Sequence, residues 1–102
     1  MIVRGVNVFP TQIEELILGH PSLSAHYQLI LTREGRLDDL EVQVEARTVS
    51  DIAEAGAHAA SELEHAMKAN IGINAKVIVL KPGEIERSLG KAKRVIDKRP
   101  KA

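Results

Sequence analysis

Cysteine is absent from this chain. No disulfide framework, thiolate zinc site or cysteine nucleophile can be built without it, and the absence suits a reducing compartment such as the cytosol. Aromatic side chains are almost absent too, with only Phe9 and Tyr27. Binders of single-stranded nucleic acid stack bases on aromatic platforms, so a nucleic-acid partner is disfavoured. No apolar run approaches the ~18 residues of a spanning helix, and the start has no signal-peptide pattern. Membrane insertion and secretion are not expected, and cytoplasmic residence is.

Net charge is absent as well, but its zero hides an asymmetry. Residues 1–80 carry 6 Lys or Arg against 11 Asp or Glu, whereas residues 81–102 carry 8 against 3. An acidic body with a basic tail points to an anionic partner for the tail: a phosphate, a nucleotide, nucleic acid or an acidic protein face. With 102 residues, 44% hydrophobic and 27% charged, the chain fits one globular domain. Such a domain buries roughly two thirds of its unfolded surface, too little to enclose a large active site.

Patterning gives the elements. Met1 to Val8 reads as a short strand interrupted at Gly5, where a bend or close backbone approach is expected. Pro10 suits a first helical position. Ile13, Leu16 and Ile17 form an apolar stripe, Glu14 and Glu15 lie in the first turns, and Gly19 with Pro21 stops the helix. His26–Arg33 and Leu40–Glu45 read as an antiparallel hairpin about Glu34-Gly35-Arg36, with Leu40, Val42 and Val44 inward and Glu41, Gln43 and Glu45 outward. A long helix follows, capped by Ser50 or Asp51, with Ile52, Ala55, Ala59, Leu63, Met67 and Ile71 at helical spacing and Gly72 as its stop. Ala75–Leu80 has the apolar run of a central strand. The order β-α-β-β-α-β is that of an α+β, ferredoxin-like domain: an antiparallel sheet with two helices on one face. Residues 1–80 form the compact core, and 81–102 form a basic loop with a short terminal element around Val95 and Ile96.

Few residues are arranged for chemistry. His58 and His65 are two helical turns apart, but metal ligands on a helix prefer spacings of three or four. With His20 and His26 they read as solvated surface histidines, and no metal site is assigned. Glu14-Glu15 and Asp38-Asp39 are adjacent pairs that do not converge, and they read as helix-dipole and hairpin-edge charges. The run Arg87-Ser88-Leu89-Gly90-Lys91-Ala92-Lys93-Arg94 is more informative. A glycine before a lysine permits a sharp turn that presents an ammonium, which can offset charge on a phosphoryl or carboxylate oxygen. The spacing is not that of a P-loop. On chemistry alone a solvated basic loop remains the ordinary interpretation.

Two stretches add to this. Ile2-Val3-Arg4-Gly5-Val6-Asn7-Val8-Phe9-Pro10-Thr11-Gln12-Ile13-Glu14 resembles the start of the C-terminal domain of phenylacetate–CoA ligases. Ile71-Gly72-Ile73, Lys81-Pro82-Gly83 and Gly90-Lys91-Ala92-Lys93-Arg94-Val95-Ile96-Asp97 resemble its end, and His26-Tyr27-Gln28 and Leu31-Thr32-Arg33-Glu34-Gly35 match between them. The Arg-Gly-Val-Asn-Val-Phe-Pro string is specific to this branch; the Gly-Lys loop alone marks only the wider adenylate-forming superfamily.

The resemblance implies an enzyme part. Such ligases join phenylacetate to CoA with ATP and Mg²⁺, through an acyl-adenylate, and their small C-terminal domain rotates between the two half-reactions. Lys91 matches the adenylation lysine and Gly90 the glycine of its loop. Arg4, Gly5, Val6 and Asn7 match the loop presented for thioester formation, with Arg4 or Asn7 as candidate contacts to CoA. The family's acidic hinge residue falls shortly before Ile2, and the large N-terminal adenylation domain, which holds ATP, Mg²⁺ and the acid pocket, is not in this chain. The 102 residues are therefore expected to fold without catalysing. The exposed hairpin edge suits docking on that domain or pairing as a homodimer. A competing reading is a free-standing regulatory or ligand-binding module of the same fold, in which Lys91 is an ordinary surface lysine.

Overall fold

The computed structural model describes residues 2–85 and 94–99, with the side chains of residues 52–55 outside that description. Its N-terminal segment turns back on itself. β1 (Ile2–Val3) and β2 (Val6–Asn7) pair antiparallel about Arg4 and Gly5. These two residues have φ of 51° and 79°, the positive pair of a type I′ turn, whose hand matches strand twist. The sequence predicts one strand bent at Gly5. A complete hairpin forms instead, because Arg4 enters the left-handed region as well.

Pro10 opens α1 (Pro10–Leu18) at the first helical position, where its missing N–H costs nothing. The Phe9 N–H donates to Gln12 Oε1 at 3.0 Å. Ile13 and Ile17 are buried, and Gly19 ends the helix with its N–H on the Glu15 carbonyl at 3.1 Å. Glu14 and Glu15 lie beyond the first turn, which contains no acid, so the expected dipole role does not apply to them.

β3 (Leu23–Glu34) and β4 (Leu37–Ala46) form the long hairpin. Gly35, φ 63°, takes the first of two loop positions, as a type II′ turn requires. Tyr27 pairs with Val44, Leu29 with Val42 and Leu31 with Leu40, so alternation puts these six on one face. α2 (Val49–Asn70) begins two residues or more before the expected start. Thr48 is the N-cap: its Oγ1 accepts the Asp51 N–H at 3.2 Å, and Asp51 Oδ2 accepts the Thr48 N–H at 3.1 Å. Asp51 is thus the far partner of the capping box, not its start. Gly72, φ 84°, closes the helix with its N–H on the Met67 carbonyl at 3.1 Å.

β5 (Lys76–Leu80) runs parallel to β4, and β6 (Val95–Asp97) parallel to β3. The sheet order is β5-β4-β3-β6. The α+β class stands, with Ile13, Ile17, Ala59, Leu63 and Met67 of the two helices packed on the Tyr27–Val44 face. Three details differ from expectation. The sheet is mixed, antiparallel only between β3 and β4. Its fourth strand is β6, because the N-terminal arms are two residues each and pair with one another. Among the described residues β5 is an edge strand, and its apolar run is explained by α2 lying across it.

Candidate functional site

The N-terminal hairpin is held by arginines. Arg4 Nε donates to the Asp38 carbonyl at 2.7 Å, and its Nη2 to Asp39 Oδ1 at 2.8 Å. Asp38 itself is 9% exposed. Its Oδ1 accepts Arg33 Nε at 2.7 Å, and its Oδ2 accepts Arg99 Nη1 at 3.1 Å. The same Arg99 nitrogen donates to the Ile2 carbonyl at 2.6 Å. The Arg99 Nε and Nη2 grip Asp97 in a bidentate fork at 3.0 and 2.8 Å. Arg33 first, with Arg99 behind it, holds the Asp38 carboxyl below the usual carboxylate range, and Arg99 draws Asp97 down to about 2. Asp38, expected to be simply a hairpin-edge charge, is instead a buried and fully partnered carboxylate. The signal was present in the sequence: Asp38 is in phase with inward Leu40, Val42 and Val44, and an inward carboxylate needs partners.

The other end of β4 carries a second anchored acid. Glu45 lies on the outer face, as alternation predicts, yet is only 1% exposed. Its Oε1 accepts the Gly83 N–H at 2.7 Å and its Oε2 the Ile85 N–H at 2.8 Å. The turn after β5 folds over the sheet to make these bonds, and no local pattern announces a partner 38 residues away. Beyond the 86–93 segment, Arg94 is fixed on three sides. Its Nη1 meets Glu14 Oε1 at 2.6 Å, its guanidinium lies 4.7 Å above the Tyr27 ring, and its carbonyl accepts the Leu29 N–H at 2.6 Å. Burial, then the nearby Glu14 charge, pushes the Tyr27 phenol above its ordinary value, with Arg94 opposing. Glu14, expected to serve a helix dipole, is instead a clamp on the basic tail.

The candidate residues fall into two groups. Arg4 and Gly5 form the hairpin tip, exposed to solvent, and a Cβ on Gly5 would meet nothing within 4 Å. Val6 is half-buried and faces Val3; Asn7 is exposed and faces Ile2. Gly90 and Lys91 lie outside the described residues. The residues flanking them, Ile85 and Arg94, are held by Glu45 and by β3. Asp38 and Glu45 stand at opposite ends of β4, about 23 Å apart at ~3.3 Å per strand residue. Beside Arg4 lies an open depression of about 780 Å³, where Lys76 and Lys98 are matched by the acids Asp39, Glu41 and, from α2, Glu64.

Among the described residues, no group of His, Asp and Glu is placed to hold a metal, and no helix is long and apolar enough to cross a membrane. His26, His58 and His65 are exposed as expected. His20 differs. Its Nδ1 accepts the Ser22 N–H at 3.1 Å, which leaves Nε2 to donate to Glu62 Oε1 at 3.1 Å.

Comparison with known proteins decides the family. Residues 5–99 match the AMP-binding enzyme C-terminal domain. This chain belongs to that family. Phenylacetate–coenzyme A ligase from Aromatoleum evansii is 47% identical across 99% of the chain, and the one from Escherichia coli 44% identical across 97%. The chain spans about a quarter of their length, 24% and 23%. Among solved structures, a domain of phenylacetate–coenzyme A ligase from Bacteroides vulgatus superposes with a TM-score of 0.86 at 29% identity, covering all of this chain and 94% of that one. A 2-hydroxyisobutyryl-CoA ligase, solved with its acyl-adenylate and CoA in the thioester-forming state, gives 0.81 at 31% identity over 97% of this chain and 21% of that one. The resemblance carried by the N-terminal string and the Gly-Lys loop is thus borne out at family level. These relatives also favour a C-terminal ligase domain over a free-standing regulatory module.

Proposed function

We propose that this chain acts as the mobile C-terminal domain of a cytoplasmic ligase that makes phenylacetyl-CoA from phenylacetate, ATP and CoA. In the first half-reaction a carboxylate oxygen attacks the α-phosphorus of ATP and pyrophosphate leaves. In the second, the CoA sulfur attacks the adenylate carbonyl, gives up its proton, and AMP leaves. The large N-terminal domain supplies the ATP and acid pockets. The described residues do not fit Mg²⁺, so no step here runs through it.

Within this scheme Lys91 serves the first step. Its ammonium orients the carboxylate and offsets charge that grows on the phosphoryl oxygens. Gly90 leaves its loop room to approach. The Arg4–Gly5 tip serves the second step, with Val6 and Asn7 behind it. Gly5 has open space where a thin pantetheine arm could pass, and Arg4 or Asn7 contacts CoA. The observation that carries the reading is the separation of the two anchor points along β4. A domain that holds one working segment toward each end of a strand must turn to present both to one site.

Half-reactions of the full-length enzyme test this. Lys91→Ala should slow acid-dependent pyrophosphate exchange by about 100-fold or more, and leave thioester formation from preformed acyl-adenylate within a few-fold. Equal loss in both steps would make Lys91 structural. The 102 residues alone should release no pyrophosphate; acid-dependent release by them would overturn the division of labour.

A further inference from the structure

We infer that Asp38 and Arg99 form a clamp that sets the position of the N-terminal hairpin, and that Asp38 is a positioning residue for thioester formation. The inference rests on the role proposed above for the Arg4–Gly5 tip.

The hairpin needs such a clamp. Its strands are two residues each, and an isolated two-stranded ribbon is marginal in water. Among the described residues it pairs with no strand of the main sheet. Val3 and Val8 are fully buried and fix its depth, but apolar contacts are non-directional. Direction comes from two sets of charge-assisted bonds. At the tip, Arg4 reaches the Asp38 carbonyl and Asp39. At the base, Arg99 reaches the Ile2 carbonyl.

Arg99 reaches Ile2 because two carboxylates aim it. Asp97 occupies one edge of the guanidinium, and Asp38 shares Nη1 with the Ile2 carbonyl. Arg99 is only 16% exposed in its side chain and Asp38 11%, so this pair is far less screened by solvent than a surface pair. Arg33 fills the other Asp38 oxygen from β3, which locks the carboxylate plane. β4, β3, the tail after β6 and the hairpin therefore meet at one carboxylate. Losing it frees Arg99 to swing with Asp97 and releases the Ile2 end of the hairpin, while the Glu45 and Arg94 anchors at the other end of the sheet stay intact.

The full-length enzyme carrying Asp38→Asn tests the clamp with two readouts. Amide hydrogen exchange should rise at least tenfold for the hairpin relative to wild type, with α2 unchanged. Thioester formation from preformed phenylacetyl-adenylate should fall 10- to 100-fold, with pyrophosphate exchange within twofold. Arg99→Ala should reproduce both effects, and the double variant should be no worse than either single one, as for groups acting as a unit. If Asp38→Asn fails to fold, Arg99→Lys keeps the charge but not the fork and should show the same selective loss. Unchanged hairpin exchange, or equal loss in both half-reactions, overturns the clamp. Raised exchange with normal thioester formation leaves the clamp standing as a structural device and removes the hairpin from the second step.

Discussion

Glu45 Oε1 accepts the backbone N–H of Gly83 at 2.7 Å, on a face of the sheet where alternation alone would leave the acid in water. With the Ile85 bond, it converts an edge turn into the fixed root of the 86–93 segment, which contains Lys91. The N-terminal hairpin has its counterpart in Asp38. A single strand thus carries the anchoring carboxylates beside both segments proposed to serve the two half-reactions.

Removing the first anchor should be costly. Hydrogen bonds to a charged group contribute roughly 1.5–3 kcal/mol each. Glu45→Ala would leave two amides without their acceptor beneath the turn, so a loss of about 3 kcal/mol is expected, and Glu45→Gln, which keeps one oxygen, should lose about half of that. Urea denaturation of this chain reads both. A midpoint unmoved by Glu45→Ala would show that water replaces the carboxylate freely.

Acid should weaken the tail before the core. Asp97 falls from 3.8 to about 2, chiefly through the Arg99 hydrogen bonds, and Asp38 is lowered chiefly by Arg33. A depressed folded-state value means that the native state releases protons the unfolded chain still binds. The stabilisation is fully present above the unfolded value near 4 and drains away as pH falls toward 2. Denaturation midpoints between pH 5 and pH 2 should therefore drop less steeply in Asp97→Asn than in wild type. Parallel curves would mean that the Arg99–Asp97 fork contributes nothing.

The hairpin tip separates stability from function. Arg4 has φ 51°, a conformation that asparagine adopts more readily than arginine. Arg4→Asn should relax the turn while losing the bonds to Asp38 and Asp39, so net stability is expected to change by less than ~1 kcal/mol. Thioester formation by the full-length enzyme should nevertheless fall, because the guanidinium is gone. Normal CoA turnover in this variant would remove Arg4 from the proposed contacts.

Gly5→Ala isolates backbone strain. Its φ is 79° and a Cβ would touch nothing, so sterics inside this domain add no cost. About 1–2 kcal/mol of left-handed strain should remain, visible as a lower thermal midpoint. A larger loss of thioester formation than of stability would indicate that the added methyl obstructs the approaching CoA arm.

Most local elements, and through resemblance the family, were legible from short stretches of residues. Pro10 and Gly19 bound α1, Gly35 sits in the β3–β4 turn, and the 40/42/44 alternation chose the buried face, because each signal acts over a few residues. The Arg4-Gly5-Val6-Asn7 string and the Gly-Lys loop identified the ligase branch through resemblance. The rest depends on contacts that no short window contains. Glu14 meets Arg94 across 80 residues, Arg99 meets Ile2 across 97, and Glu45 meets Gly83 across 38. These bonds form because packing brings charged groups out of water, and a charge leaving water must find a partner wherever the fold places one. That is also why β6, and not the N-terminal arm, completes the sheet: both have strand character, and the choice rests on which one the tertiary contacts hold beside β3.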